Sequence, residues 1–165
     1  TLTRRRARAQ RLNELCRVHH IPLIINDDIE LADHIGAAGV HLGRDDASLA
    51  QARDRLGANA IVGVSCYNDL VRARAAAAQG ASYIAFGRFF TSQTKPEAAL
   101  ATPGTLIQAR EQLSIPIVAI GGITRENGLE LIHAGAGLLA VIKGVFGKSN
   151  PAEAARAIAK LFAGV

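Results

Sequence analysis

Aromatic residues are scarce in this chain: two tyrosines, five phenylalanines and no tryptophan among 165 residues. Single-stranded nucleic acid is held largely by aromatic stacking beside basic groups. No aromatic side chain interleaves with the basic run that opens the chain, so no nucleic-acid partner is expected. Cysteine is limited to Cys16 and Cys66 without CxxC spacing, which argues against disulfides and structural zinc and for a reducing compartment. No apolar stretch approaches the ~20 residues of a bilayer span, and the Arg-rich start leads into no signal-peptide core. The expectation is a soluble, cytoplasmic chain with no membrane partner.

What is present is enough for one core. With 49% hydrophobic content the chain reads as a single domain over residues 1–165, too short for two ordinary ones. The net charge of +5 is unevenly placed. Arg4, Arg5, Arg6, Arg8, Arg11 and Arg17 face only Glu14 within the first twenty residues and carry the whole excess. Leu2, Leu12, Leu15 and Val18 read as the apolar positions of an amphipathic helix with a solvated basic face.

Strand-like apolar runs recur at 22–25, 39–42, 60–64, 82–86, 116–120 and 138–142, and helix-like segments lie at 28–35, 48–56, 69–79, 105–113, 126–133 and 151–162. Ser48 and Asn68 suit N-caps, and Asn150-Pro151 suits a cap followed by the first helical position. Three echoes, Ile35-Gly36-Ala37, Gln79-Gly80-Ala81 and Ala134-Gly135-Ala136, each close a helix and lead into a strand, with glycine suited to the left-handed position past the helix end. Strict alternation predicts a parallel sheet with right-handed crossovers, either doubly wound or a (β/α)8 TIM barrel. The barrel is favoured because functional-looking residues follow nearly every strand, whereas an open sheet gathers them at one switch point. About six of eight βα units are present. The first strand, first helix and second strand of a full barrel are expected to be lacking, an addition of roughly 40 residues at the local unit length. Such a sheet exposes two edges, with which a homo-oligomer is compatible.

The strand ends carry the chemistry. Asp27 and Asp46 follow two neighbouring apolar runs and can share a pocket at the carboxyl ends of parallel strands. Carboxylate oxygens there suit a hard cation, most simply Mg²⁺ with waters completing its shell. Ser65 has no GxSxG context, so it reads either as a hydrogen-bond donor to an anion or as part of the next helix cap. The polar stretch 87–96 offers Thr91, Ser92 and Thr94 beside Lys95, a combination suited to phosphate oxygens or to a solvated turn. Gly121-Gly122 before a helix near Glu126, with Ile142-Lys143 after the last strand, fits the phosphate-binding end of a barrel. His41 reads equally as a core imidazole or a functional one, and Cys66 as a small hydrophobe. His19, His20, His34 and His133 have no site argument.

Taken in order, IIND, GVHLGRDD, GVSCYN, GRFFTSQTKP, VAIGGIT and VIKGVFG resemble the thiamine-phosphate synthase family over residues 10–165. The resemblance implies a TIM barrel that joins an aminopyrimidine diphosphate to a thiazole phosphate, releasing pyrophosphate with Mg²⁺. It implies Asp27 and Asp46 as Mg²⁺ ligands and Asn26 as a contact of the pyrimidine or its diphosphate. Ser65 and Lys95 would hold the diphosphate and serve catalysis. Ser92, Thr94, the Gly121-Gly122 backbone and the loop around Ile142 would hold the thiazole phosphate, with Lys143 as either an added phosphate ligand or a solvent-facing charge. The family chemistry is dissociative: the C–O bond breaks to a pyrimidine carbocation, which the thiazole nitrogen captures. The family's Gln-x-Arg-x-Lys motif, from its second barrel strand, is expected ahead of the sequence given. Alternatives are the thiazole tautomerase branch of the same superfamily and a non-catalytic truncated fragment. Asp27, Asp46, Ser65 and Lys95 together favour the synthase.

Overall fold

The structure, a computed structural model, describes residues 2–44, 46–90 and 100–164. Among them six parallel strands form one sheet: β1 (Ile24–Asn26), β2 (Gly39–Leu42), β3 (Ile61–Tyr67), β4 (Tyr83–Gly87), β5 (Ile117–Ile120) and β6 (Leu138–Ala140). The helices are α1 (Leu2–Val18), α2 (Ile29–Ile35), α3 (Leu49–Leu56), α4 (Leu70–Ala78), α5 (Pro103–Gln112), α6 (Gly128–His133), α7 (Lys143–Phe146) and α8 (Pro151–Ala159), followed by a 3₁₀ turn, Lys160–Gly164. The strand order in space is the order in sequence. That decides between the two expected architectures. A doubly wound sheet must reverse its strand order, whereas right-handed crossovers between successive neighbours keep every helix on one side and build a sector of a TIM barrel.

Alternation along each strand divides the sheet into two faces. Val40, Leu42, Val62, Val64, Cys66, Ile84, Phe86, Ile117 and Ala119 are buried in one apolar cluster with helix residues such as Leu106 and Leu131. Ala32, Ala52, Ala73 and Ala109 are fully buried at the contacts, since a methyl side chain lets a helix backbone approach the sheet closely. The opposite face carries Asn26, His41, Gly63 and Tyr83 as one cross-strand row. Ser65 follows two positions along β3. This is the inner face of the barrel sector.

Several local expectations hold. Ser48 caps α3 in a reciprocal box with Gln51, and the Asn150 side chain accepts from the Glu153 N–H with Pro151 in the first turn. Gly36, Gly80 and Gly135 all take positive φ. Others are corrected. The cap of α4 is Asp69, whose carboxylate accepts from the Arg72 N–H, because β3 extends through Tyr67 and displaces the cap beyond Asn68. Helix α5 opens at Pro103, and α6 at Gly128 after a turn over Arg125–Asn127. Strand β6 ends at Ala140, so Ile142 lies beyond it.

The amphipathic reading of the first helix also changes. Leu2, Leu12, Leu15 and Val18 are exposed, and the buried residue of α1 is Asn13. Its amide donates to the carbonyls of Ile35 (2.7 Å) and Gly36 (3.2 Å). Those carbonyls at the end of α2 lack intrahelical donors, and a polar side chain satisfies them where leucine cannot.

Candidate active site

The carboxyl ends of β1, β2 and β3 bring four expected residues together. Asn26 ends β1, and its amide donates to Asp27 Oδ2 at 2.5 Å. Asp27 adopts φ 65°, a left-handed conformation that Asp tolerates better than most residues. Its N–H donates to the carbonyl of His41 at 2.8 Å, tying the end of β1 to β2. Beyond β2 the chain turns at Gly43, whose N–H donates to Asp46 Oδ2 at 2.5 Å. Asp27 and Asp46 thus sit at adjacent strand ends, both exposed. Close by, Arg5 pairs with Asp28 at 2.9 Å, and Arg55 with Glu30 and Asp33.

Ser65 lies within β3, not beyond it, so it is held by the sheet and does not cap α4. Its hydroxyl is 2.8 Å from His41 Nε2, and the other ring nitrogen of His41 is 3.0 Å from the Tyr83 hydroxyl. The two rings are stacked, with centroids 5.6 Å apart and planes at 18°. Burial pushes the His41 pKa below its ordinary value, with the negative charge of Asp46 pulling the other way. Burial raises that of Tyr83. His41 is therefore part of a polar chain on the inner face and not a plain core residue. Cys66, one position on, points to the opposite face and is buried. Its thiol is pushed from the ordinary 9.0 to about 11, chiefly by burial, which bears out the hydrophobe reading.

Arg72 on α4 clamps this region from outside. Its Nε donates to the Ser65 carbonyl at 2.8 Å and its Nη2 to the Gly43 carbonyl at 2.9 Å, so one guanidinium joins the ends of β2 and β3. The β3 bulge between Ser65 and Tyr67 places Tyr67 at φ 58° with the Arg44 guanidinium 4.7 Å above its ring.

Farther along the sheet, Gly121 (φ 101°) and Gly122 (φ 69°) follow β5. The Phe90 N–H donates to the Gly121 carbonyl at 3.1 Å. A side chain on Gly121 would collide with the backbone and Cβ of Arg88, so glycine is required by close approach. Asn127 fixes the turn: its Oδ1 accepts from the Thr124 N–H at 2.8 Å and its amide donates to the Gly122 carbonyl at 3.1 Å. Lys143 opens α7 and is exposed, as is Ile142. Ser92, Thr94 and Lys95, with Thr91, lie outside the described residues.

Sequence reasoning missed Tyr83, Arg72 and Asn127. Period-2 alternation puts His41 opposite Val40 and Leu42, but only the register shows that Tyr83 reaches it. Arg72 carries no local signal, because a basic residue on a helix is most often a solvated charge.

Among the described residues no three His, Cys, Asp or Glu side chains cluster as a metal site. The two carboxylates at adjacent strand ends offer oxygen donors only. That fits a hard divalent cation, whose other positions water and substrate oxygens would fill. No helix in the described residues is long and apolar enough to cross a membrane.

Comparison with known proteins identifies the family. The family described as thiamine monophosphate synthase matches residues 2–145. The thiamine-phosphate synthase of Nitrosococcus oceani is 56% identical over 156 residues, 94% of this chain and 71% of that protein. That of Azoarcus sp. is 54% identical over 155 residues, 94% of this chain and 75% of that protein. A solved thiamine phosphate pyrophosphorylase from Pyrococcus furiosus superposes with a TM-score of 0.91 at 28% identity, covering 99% of this chain and 78% of that one. The barrel sector and the sequence identity agree, and the chain belongs to the thiamine-phosphate synthase family of transferases in thiamine biosynthesis.

Proposed function

We propose that this chain joins an aminopyrimidine diphosphate to a thiazole phosphate with release of pyrophosphate, and that the row Asn26, Asp27, Asp46 and Ser65 receives the diphosphate. The observation that supports this reading is the convergence of these residues at the carboxyl ends of three successive parallel strands, where barrels place their chemistry. Asp27 and Asp46 would hold Mg²⁺. When bound, the cation would supply positive charge opposite the departing pyrophosphate.

The chain's own residues orient and stabilise. Asn26 keeps its carboxamide at the strand end to contact the pyrimidine or its diphosphate. Ser65 donates a hydrogen bond to a diphosphate oxygen, and Lys95 adds charge as the leaving group departs. Ser92, Thr94 and Lys143, with the Gly121-Gly122 backbone and the loop at Ile142, take the thiazole phosphate. The C–O bond of the pyrimidine methylene breaks with its electron pair leaving on pyrophosphate, and the thiazole nitrogen supplies the pair for the new C–N bond. No protein nucleophile is needed. The Ser65–His41 contact has the distance of a nucleophile–base pair, yet among the described residues the other ring nitrogen of His41 meets a phenol and no carboxylate.

The test is incubation of the chain with both substrates and Mg²⁺, following pyrophosphate and thiamine phosphate. Both products are expected in equal amounts and neither without Mg²⁺. Product formation that persists in a chelator would overturn the metal assignment, and absence of both products with Mg²⁺ present would overturn the reading as a whole.

A further inference from the structure

We infer that Tyr83 and His41 form a hydrogen-bond chain of fixed direction that turns the Ser65 hydroxyl hydrogen toward the leaving diphosphate, which makes both of them positioning residues. The inference rests on the proposed role of Ser65 as a donor to that diphosphate. Three side chains from three different strands are involved: Tyr83 from β4, His41 from β2 and Ser65 from β3. The Tyr83 hydroxyl lies 3.0 Å from His41 Nδ1, and His41 Nε2 lies 2.8 Å from Ser65 Oγ.

The contact between Tyr83 and His41 spans a whole strand. In the register His41 pairs with Gly63, and Gly63 with Tyr83, so two strand spacings of about 4.8 Å separate the backbones. The tyrosine ring crosses that gap by lying over Gly63, where any Cβ would run into the ring and its hydroxyl. Glycine ordinarily weakens a strand interior. Here it is the one residue that leaves room for the crossing.

Donor and acceptor counting sets the direction. Tyr83 is half-buried, and among the described residues its hydroxyl has one hydrogen-bond partner, the His41 ring. If the oxygen accepted from Nδ1–H, the phenolic hydrogen would have no protein acceptor among the described residues and would depend on water at the edge of a half-buried ring, the weaker of the two arrangements. If the phenol donates to Nδ1, the neutral ring carries its hydrogen on Nε2 and donates to Ser65 Oγ. The serine oxygen is then an acceptor toward His41, and its own hydrogen is released for an anion at the open strand end. In the opposite direction Ser65 would spend that hydrogen on Nε2 and present only lone pairs to a phosphate, a repulsive arrangement. No proton changes owner in this chain; only the orientation of each hydrogen is fixed.

Two measurements on the whole chain test this. The ¹⁵N shifts of the His41 ring are expected to show hydrogen on Nε2 in the unmodified protein and a mixture of tautomers in Tyr83→Phe, which keeps the ring stack and loses the donor. A ring protonated on Nδ1 in the unmodified protein overturns the inference without reference to activity. In kinetics, Tyr83→Phe is expected to lower kcat about tenfold, the size of one hydrogen bond, with KM for the thiazole phosphate unchanged. In a Ser65→Ala background the same change is expected to do nothing more. If Ser65→Ala alone leaves kcat intact, the role of Ser65 fails. If Ser65→Ala lowers kcat but Tyr83→Phe has no effect, or the two effects simply multiply, the chain of direction fails while Ser65 keeps its role.

Discussion

Removing the Arg72 guanidinium should loosen the junction between β2 and β3 and cost activity beyond what stability alone explains. Its side chain makes two charge-assisted bonds, to the carbonyls of Ser65 (2.8 Å) and Gly43 (2.9 Å). Such bonds are worth roughly 1.5–3 kcal/mol each when water cannot replace the donor. Arg72, Ser65 and Gly43 are only half-buried, so water reaches the abandoned carbonyls and about 1 kcal/mol per bond remains. Arg72→Ala should therefore cost about 2 kcal/mol, a fall in Tm of about 4–8 °C for a domain of this size. The α4 cap survives the change, because Asp69 accepts from the backbone N–H of residue 72. Arg72→Lys can reach one carbonyl at a time and should recover about half of the loss. Thermal unfolding followed by circular dichroism measures the first effect. Steady-state kinetics at a temperature well below both midpoints measures the second, an expected further drop in kcat because the loop carrying Asp46 is no longer tied to the strand carrying Ser65. A Tm within about 1 °C of the parent for Arg72→Ala would refute this reasoning, as would full rescue by lysine.

Asp27→Asn and Asp46→Asn should each raise the Mg²⁺ concentration needed for half-maximal rate by at least about tenfold, since one carboxylate ligand is lost at a site with few others; unchanged Mg²⁺ dependence in both would remove them from the metal site. Lys95→Ala should lower turnover strongly with the far-ultraviolet spectrum retained, and near-normal turnover would reject its place at the pyrophosphate. Asp69→Ala should cost about 1 kcal/mol in denaturant unfolding while Asn68→Ala costs almost nothing; equal losses would contradict the observed cap. Cys66 should resist alkylation in the folded chain at pH 8.5 while half-buried Cys16 reacts. Its raised pKa also means that the associated stability is complete below pH 9 and is lost as pH rises from 9 to about 11, because the unfolded thiol ionises first. Alkylation of both cysteines at equal rates would count against the buried thiol.

Much of this protein is written in periodicity and strand-end composition. The six apolar runs became β1 to β6 within a few residues, because a strand covered by helices on one side must be apolar at every second position wherever the chain turns. The acids at 27 and 46, the hydroxyl at 65 and the glycine pair at 121 and 122 could be read as strand-end groups for the same reason: in a parallel sheet, whatever follows a strand emerges at the same end. Their identity as a family pattern needed only their order.

Contacts between distant residues depend on register and facing, and these belong to the tertiary structure. Sequential strand order settled barrel against doubly wound sheet, since both have the same alternation of elements. Leu2, Leu12, Leu15 and Val18 looked like a core stripe, yet the carbonyls ending α2 required a donor and Asn13 took the buried position. His41 stood between two readings until the row His41, Gly63, Tyr83 was known. Nothing local marks Tyr83 as its partner, 42 positions away, because a hydrogen bond across an intervening strand is fixed by sheet spacing and by the missing side chain at Gly63. Composition and spacing decided which groups reach the open end of the sheet; the packing of three strands decided which way the hydrogens at that end can point.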